Sequence, residues 1–329
     1  MVIAVSYHET VTKLQGLSAL AQGPFDRAEW YGLLAEAKPG ALVAHAASGE
    51  KQAALALRRT RNGMESLTNW FTFAWRPLVD HEPALQAIAR DLRNHTHRVE
   101  LAPVPAEDGS RAMLESAFRS GGWLVFTEQC DENHVLPVDG RSFAEYWAAR
   151  PGRMRTTLKR KAKKVAVDIL DRFDAATWDA YKAIYAESWK PEEERDDLLE
   201  AFARAEGEAG HIRLGIARHE GKPVAAQFWT VENDVAYIHK LAHTESARAL
   251  SAGTTLTAAL FEHVIDTDRV KLVDFGTGDD AYKRDWMEVN RPRYCLLCLD
   301  PRQPRAWPQI AKQLVRALKA RLASPETRG

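Results

Sequence analysis

The stretch 251–286 carries two groups of residues whose types and spacing could do chemistry. The first group is Ser251-Ala252-Gly253-Thr254-Thr255, a small-residue loop that leads into an apolar segment with helical periodicity. A loop that exposes backbone amides at a helix N-terminus suits an anion, because the helix dipole favours negative charge there. An ordinary Ser or Thr cap is the alternative interpretation of the same residues.

The second group follows a predicted buried strand, 271–275, in a loop punctuated by glycines. Its titratable members are Asp279, Asp280, Tyr282 and Lys283. A polar loop at a strand end is a common place for chemistry in α/β proteins. We expect Asp274, within the strand, to serve the structure or to orient a histidine. Lys283 could polarise a carbonyl or bind phosphate; a salt bridge of little energetic value is the alternative.

Two histidines lie on a predicted strand, 236–243, that precedes this stretch. His239 and His243 are four residues apart, and strand side chains alternate, so we expect both on the same face. Imidazole titrates near neutrality, and either histidine could therefore accept a proton. A purely structural role is the alternative for each of them.

Composition limits the classes of protein to which the chain could belong. It has 329 residues, of which 45% are hydrophobic and 27% charged, as in ordinary globular proteins, and its length favours two domains. The 45 bases balance 45 acids, so net charge gives no bias toward DNA. Residues 1–9 lack the pattern of a signal peptide, and no apolar run is long enough to span a bilayer. We expect a cytoplasmic protein.

The cysteines are too few for a disulfide framework. Cys130, Cys295 and Cys298 fit a reducing compartment. The Cys295-Leu-Leu-Cys298 spacing occurs in metal sites, but this pair lies in an apolar strand-like run without a second Cys or His pair. We therefore predict buried structural cysteines and no metal site.

The elements that must position these residues mix hairpins with α–β alternation. Hydrophobic periodicity predicts helices over 25–37, 82–94, 110–120, 177–189, 196–209 and the C-terminal segment. It predicts strands over 41–47, 53–58, 64–70, 98–104, 123–129, 165–170, 211–218, 224–231, 236–243, 271–275 and 293–299. Asn62-Gly63 is a strong hairpin signal. The fold class is α/β with an α+β mixed sheet.

Two basic segments accompany this pattern. Residues 141–164 contain nine bases and one acid, Glu145, and their apolar spacing predicts an amphipathic helix linking the domains. Arg and Lys on one face suit a diphosphate or an anionic membrane, and a solvated helix face is the alternative. The C-terminal helix carries apolar residues from Trp307 to Leu322 and bases such as Lys312. We expect it to pack on the protein's own core, with anionic lipid contact as the alternative.

These residues together resemble a known family. The order is strand, turn, strand, then Ser-Ala-Gly-Thr before a helix, then Asp274-Phe-Gly-x-Gly-Asp-x-x-Tyr-Lys-x-x-Trp286. This pattern resembles the GNAT-superfamily acyltransferases, and more narrowly their double-domain CelD-like or FemAB-like branch. Ala252 replaces the proline usual in that branch. Ser188-Trp189-Lys190, the basic helix and the segment 67–69 are further points of similarity.

The resemblance implies two tandem GNAT-like domains, each with a mostly antiparallel central sheet flanked by helices. We expect an N-terminal domain over 1–140, a basic linking helix over 141–165, and a motif-bearing C-terminal domain over 166–329. It also implies an acyl thioester donor, most naturally acyl-coenzyme A, and an amine acceptor, with no metal. Coenzyme A pyrophosphate would bind at Ser251, Ala252, Gly253, Thr254 and Thr255, assisted by Arg155 and Lys159.

The same resemblance assigns candidate catalytic roles. Superfamily members often place a tyrosine just past this strand to protonate the leaving thiolate, and Tyr282 occupies that position. His239 or His243 would take the amine proton. Asp279 or Asp280 would hold the substrate ammonium or Lys283, or act as the base.

The leading hypothesis is therefore an N-acyltransferase. One alternative is a Fem-type transferase that uses aminoacyl-tRNA, which the basic helix supports and the neutral net charge opposes. The other is a non-catalytic module that docks on membrane lipid. The aromatic segment 70–75 is interpreted as core packing or as the wall of an apolar cleft. With the basic helices it suggests an amphiphilic acceptor, such as a long-chain amino alcohol acylated to a ceramide-like amide, at the inner face of a membrane. Sugar amines and cell-wall peptides remain open.

Overall fold

The structure, a computed structural model, describes residues 3–188, 190, 195–278 and 280–323. The strands are β1 (Val5–His8), β2 (Ala41–Ser48), β3 (Lys51–Thr60), β4 (Gly63–Ser66), β5 (Leu78–Val79), β6 (Arg98–Pro105), β7 (Leu124–Pro137), β8 (Ala166–Leu170), β9 (Ile212–His219), β10 (Lys222–Glu232), β11 (Val235–His243), β12 (Leu272–Thr277) and β13 (Val289–Leu299). The helices are α1 (Ala28–Ala37), α2 (Glu82–Leu92), α3 (Ser110–Ser120), α4 (Phe143–Ala148), α5 (Gly152–Lys161), α6 (Ala175–Ala186), α7 (Asp196–Glu208), α8 (Ala252–Glu262), α9 (Lys283–Trp286) and α10 (Trp307–Ala323).

The chain divides into two compact units, 1–131 with 292–329, and 132–291. The prediction assigned 166–329 to a single domain. The structure groups the last strand and α10 with the N-terminal residues, because β13 pairs antiparallel with β6. The segment predicted as one linking helix is divided into α4 and α5, which are separated by Pro151 and belong to the second unit.

In the first unit the strand order is β1-β2-β3-β4-β6-β13-β7, with β5 beside β3. The predicted Asn62-Gly63 hairpin is confirmed: Thr60 pairs with Gly63 where β3 turns into β4. The aromatic segment 70–75 packs mainly in the core. Trp75 is fully buried and its indole donates to the Ala56 carbonyl at 3.1 Å, whereas Trp70 is 57% exposed.

In the second unit the strand order is β7-β12-β11-β10-β9-β8. Neighbouring strands run antiparallel except β11 and β12, which pair in parallel. Helix α8 packs across β9 and β10 through an apolar face that includes Leu256 and Leu260. Gly215 on β9 allows this close approach, since a Cβ there would lie 2.9 Å from Leu260 Cδ1. The mixed α/β fold class, with mostly antiparallel strands flanked by helices, is confirmed.

Helix α10 does not bury the apolar face that the sequence led us to expect in the core. Among its residues up to 319, Ile310 is buried, while Trp307, Leu314 and Leu318 are 58%, 56% and 58% exposed. Helix α10 therefore does pack on its own unit, as expected, but through a narrow strip near Ala306 and Ile310 and not through the whole apolar face. Within the described part of the chain, no helix is both long and apolar enough to cross a membrane.

Of the three cysteines, Cys298 is buried as predicted, whereas Cys295 is half-buried and Cys130 is exposed. Cys298 is fully buried, and burial raises its pKa well above the ordinary range. Burial likewise raises the pKa of Cys295 to about 12. The two residues are three apart on β13, so their side chains point to opposite faces of the strand and do not converge on one ligand.

Candidate functional site

The site lies where two parallel strands separate. Residues Val235–Tyr237 of β11 pair with Leu272–Asp274 of β12, and the pairing ends there. Beyond it, β11 continues to His243, while β12 keeps its pairing with β7 through Thr277 and Asn133. The cleft between the diverging strands contains a cavity of about 390 Å³. It is lined by Met154, Leu241, His243, Arg248, Ser251, Ala252, Gly253, Thr254, Thr257, Phe275, Tyr282, Asp285 and Trp286.

The N-terminus of α8 forms one wall of the cavity. Ser251 adopts a left-handed conformation with φ of 53°, and the first helical hydrogen bond runs from the Thr255 amide to the Ser251 carbonyl. The amides of Ala252, Gly253 and Thr254 therefore precede the helical hydrogen-bond ladder. Thr255 is buried, and its hydroxyl donates to the Ser251 carbonyl, so it supports the turn and does not line the cavity.

A buried polar group anchors this helix end to the sheet. Gln227 on β10 is fully buried, and its amide nitrogen donates to Thr257 Oγ1 at 2.6 Å. Thr257 in turn donates to the Gly253 carbonyl at 2.8 Å, and Trp229 donates to Gln227 Oε1 at 2.9 Å. Because a buried hydrogen bond is costly to break, this series of hydrogen bonds holds the first turn of α8 in one position. The sequence analysis missed Gln227 and Thr257, although Thr257 lies one helical turn after Gly253.

The two candidate histidines lie on opposite faces of β11. The strand contains a bulge: Phe228 pairs with Lys240 but Trp229 pairs with Ile238, which leaves His239 as the extra residue. A bulge shifts the alternation of side chains by one position. The expectation that His239 and His243 share a face was therefore wrong.

His243 faces the cavity, and His239 packs away from it. The His239 ring stacks on Phe228 at 4.8 Å and bonds Thr230 Oγ1 through Nε2 at 2.8 Å. His243 Nδ1 lies 3.1 Å from the Thr244 carbonyl, so it donates there and Nε2 is the basic nitrogen. The His243 ring also contacts the backbone of α8, since a Cβ on Gly253 would lie 3.2 Å from its Cδ2.

Tyr282 also lines the cavity, and it lies immediately before α9 in the sequence. Its ring meets Phe275 edge-on at 5.6 Å, and 42% of its surface is exposed. Burial of the hydroxyl, followed by the nearby Asp280 carboxylate, raises the pKa of Tyr282 above its ordinary value. The hydroxyl is therefore protonated at neutral pH and is a weaker acid than a free tyrosine.

Lys283 lies near the cavity, but its side chain binds the backbone of the loop after β12. Its ammonium is buried and donates to the Thr277 and Gly278 carbonyls, with Asp280 Oδ2 at 3.8 Å. This arrangement holds the glycine-containing turn after β12, and Lys283 is not among the lining residues. Asp279 lies outside the described residues.

Asp274 has the structural role that was one of its two expected roles. Its carboxylate is buried and accepts from Asn133 Nδ2 at 3.1 Å and from the Gly276 amide at 2.8 Å. These bonds fix the point at which β12 turns into the loop that carries Tyr282.

The basic side chain that reaches α8 is not one of the two predicted. Arg155 and Lys159 are exposed on α5 and are not among the lining residues. Lys161 instead donates to Ser251 Oγ at 3.1 Å. Arg248 lines the cavity itself, and its guanidinium is 3.8 Å from Glu245. Lys161 belonged to the basic run in the sequence, but only the packing of α5 on α8 distinguishes it.

Helix α5 and the residues after β12 close the rest of the lining. Arg153 donates to both oxygens of Asp285, at 2.7 and 2.6 Å. Tyr146 donates to the Trp286 carbonyl at 2.8 Å. These contacts place Asp285 and Trp286 along the cavity. The sequence pattern assigned no role to Asp285 and named Trp286 only as the end of the motif.

Comparisons with known proteins bear on the fold and on one stretch of the sequence. Residues 152–284 match the family described as the acetyltransferase (GNAT) domain. No curated protein sequence matches the chain. Among solved structures, the C-terminal domain of a protein named as a lysylphosphatidylglycerol synthetase from Agrobacterium fabrum is 13% identical, with a TM-score of 0.58, over 97% of this chain and 98% of that chain.

Two further solved structures are similar in fold. The L-PGS from Bacillus licheniformis is 12% identical, with a TM-score of 0.58, over 93% of this chain and 96% of that chain. FemX is 10% identical, with a TM-score of 0.63, over 89% of this chain and 96% of that chain. At these identities the likeness concerns the fold alone. The chain is therefore similar in fold to these three structures, and residues 152–284 match the GNAT-type acetyltransferase domain.

Proposed function

We propose that the protein is an N-acyltransferase that moves an acyl group from a coenzyme A thioester to an amine. The observation that carries this proposal is the meeting of three features in one cavity: the first turn of α8, His243 and Tyr282. The split between β11 and β12 opens the sheet at that point. The GNAT-type domain match over 152–284 covers all three features.

The residues at α8 fit a diphosphate. Unbonded first-turn amides and the positive end of the helix dipole favour an anion, and Lys161 and Arg248 add positive charge nearby. Gly253 keeps the wall open, because it places no side chain between this helix end and His243. The donor would therefore bind with its phosphates at α8 and its thioester toward the cleft.

The lining also supplies groups for both proton movements. The amine nitrogen attacks the thioester carbonyl, a C–N bond forms, the C–S bond breaks, and the amine proton passes to His243 Nε2. Tyr282 donates a hydrogen bond to the departing sulfur, and solvent carries the proton from His243 to the thiolate. Because the pKa of Tyr282 is raised, its main contribution is a hydrogen bond to the developing thiolate.

For the acceptor we propose an amphiphilic amine. Met154, Leu241, Phe275 and Trp286 give the cavity an apolar side that would favour an aliphatic chain over a sugar. Acyl-coenzyme A donors with sphingoid bases, amino sugars or short peptides as acceptors, read by release of free thiol, would test this choice. If only water-soluble amines accelerate thiol release, the amphiphilic acceptor is excluded.

A second donor, aminoacyl-tRNA, is favoured by one specific observation. Outside the cavity, α5 and the turn after it present exposed bases that could contact a nucleic-acid backbone. These are Arg155, Lys159, Arg160, Lys163 and Lys164. The Fem-type resemblance points to this donor, and similarity in fold to FemX and to lysylphosphatidylglycerol synthetase is compatible with it.

Two binding experiments distinguish the donors. Isothermal titration with coenzyme A should show binding that weakens at least tenfold in Gly253→Val, because the larger side chain enters the cleft; Lys159→Ala should change it little. Gel-shift titration with aminoacyl-tRNA should show no specific complex. A tRNA complex that is lost in Lys159→Ala/Arg160→Ala, with no coenzyme A binding by the wild type, would replace the coenzyme A proposal with the aminoacyl donor.

A further inference from the structure

Helix α10 presents an apolar surface to solvent in the first unit. Trp307, Leu314, Val315 and Leu318 are 58%, 56%, 51% and 58% exposed. With Ala311 they fall within about a 100° sector of the helix, by the angle of about 100° between successive residues. Soluble proteins usually expose such residues singly, and a contiguous row of them indicates a surface that binds another molecule when the protein functions.

Contacts along one edge of the exposed row attach the helix to its unit. Ala306 and Ile310 are buried with Leu297 and Leu299. The Trp307 indole donates to the Pro301 carbonyl at 2.9 Å, which fixes the ring while leaving it exposed. The helix that carries the apolar row is therefore attached to the folded unit at its first turn.

The charges beside the row have one sign. From residue 304 to residue 323 the sequence has five bases and no acid: Arg305, Lys312, Arg316, Lys319 and Arg321. By helix geometry, Lys312, Arg316 and Lys319 lie together along one flank of the apolar row. Arg316 lies 3.7 Å from the Glu128 carboxylate; both side chains are more than half exposed, so this pair contributes little.

We propose that α10 docks on an anionic lipid surface, lying in the plane of the interface. An apolar sector with an indole at one end suits the boundary between headgroups and acyl chains, and a flank of Lys and Arg suits negative headgroups. The exposed residues from Trp307 to Leu318 span about 16 Å along the helix axis, which is long enough to lie on a membrane and too short to cross it. This inference does not depend on the acyl-transfer proposal.

Vesicle flotation of the full chain tests it. Vesicles of phosphatidylcholine with about one third phosphatidylglycerol should carry the wild-type protein at low salt, and pure phosphatidylcholine vesicles should carry much less. Leu314→Glu/Leu318→Glu should reduce binding at least tenfold. Val289→Glu, which alters an exposed aliphatic residue of the other unit, is the matched control and should bind as the wild type does.

The charge component has its own test. Lys312→Gln/Lys319→Gln should weaken binding to the phosphatidylglycerol vesicles by about fivefold for each base removed, and should flatten the dependence on salt. Equal binding by wild type and both double variants would overturn the proposal. So would a wild-type dimer in sedimentation analysis that Leu314→Glu/Leu318→Glu converts to a monomer without any vesicle binding, because a second copy would then be the occupant of this surface.

Discussion

Replacing Gly253 with alanine should separate stability from activity. Gly253 lies in the first turn of α8 with an ordinary helical backbone, so alanine introduces no backbone strain. Alanine favours helix over glycine by up to about 1 kcal/mol, and less at a helix end. We expect the free energy of unfolding to stay level or to rise by about 0.5 kcal/mol.

The new methyl group has a defined neighbour. It would lie 3.2 Å from His243 Cδ2 and 3.8 Å from His243 Cγ, and carbon atoms pack best at about 3.5–4.0 Å. The imidazole must therefore move by a few tenths of an ångström, and the cleft narrows beside the amides proposed to bind the donor. A loss of about 1.4–2.8 kcal/mol of transition-state stabilisation corresponds to a fall in kcat/KM of about 10- to 100-fold.

The assay is thiol release from acyl-coenzyme A with an accepted amine, together with thermal melting. Gly32→Ala is the matched control, because Gly32 lies in α1 and an added Cβ there meets nothing within 4 Å. It should leave kcat/KM unchanged. Activity of Gly253→Ala within twofold of the wild type would refute the placement of donor and base in this cleft. A marked fall in melting temperature would refute the claim that the His243 ring can move aside for the added methyl group.

Further predictions concern the groups around the cavity and one buried ion pair. Tyr282→Phe should lower kcat 10- to 100-fold without changing the melting temperature. The pKa of Tyr282 is raised and its protonated hydroxyl is the active form. The wild-type rate should therefore show no fall from ionisation of this tyrosine up to about pH 10. His243→Gln should lower kcat at least 100-fold, whereas His239→Gln should act on stability alone, and equal rate losses would contradict the assignment of opposite faces. Arg293 is 1% exposed and its guanidinium donates to Glu107 at 3.0 Å, so Arg293→Met should cost about 3 kcal/mol in urea unfolding; a cost under about 1 kcal/mol would show that the pair is dispensable.

Local pattern was sufficient for many of the elements and for the two loops of the site, but it joined α4 and α5 into one helix and did not predict β1 or β5. The predicted helix 110–120 coincides with α3, and the predicted strand 236–243 differs from β11 by one residue. Short-range periodicity specifies both segments, and turn-forming residues bound them: Gly109 and Gly121 at α3, and Asn233-Asp234 before β11. For the same reason the loop at Gly253 and the strand end near Tyr282 stand out in the sequence, and the structure brings both to one cavity.

What local pattern could not supply was the direction in which particular side chains point. Strict alternation placed His239 with His243, but the bulge opposite Phe228 and Trp229 arises from pairing between two strands, and it turns His239 away. Likewise, several bases on α5 are equivalent by composition. The packing of α5 on α8 brings Lys161, and not Arg155 or Lys159, to Ser251.

The sequence by itself therefore determined the fold class, the helix that begins at Gly253 and the polar strand end that carries Tyr282, because these depend on residue types and spacing along the chain. Only the tertiary structure decided that His243 faces the cavity, that Lys283 is held by backbone carbonyls, and that α10 keeps its apolar row exposed. Each of these outcomes depends on which distant surface a side chain meets. Strand pairing and helix packing choose that surface, and neither is encoded in any short window of residues.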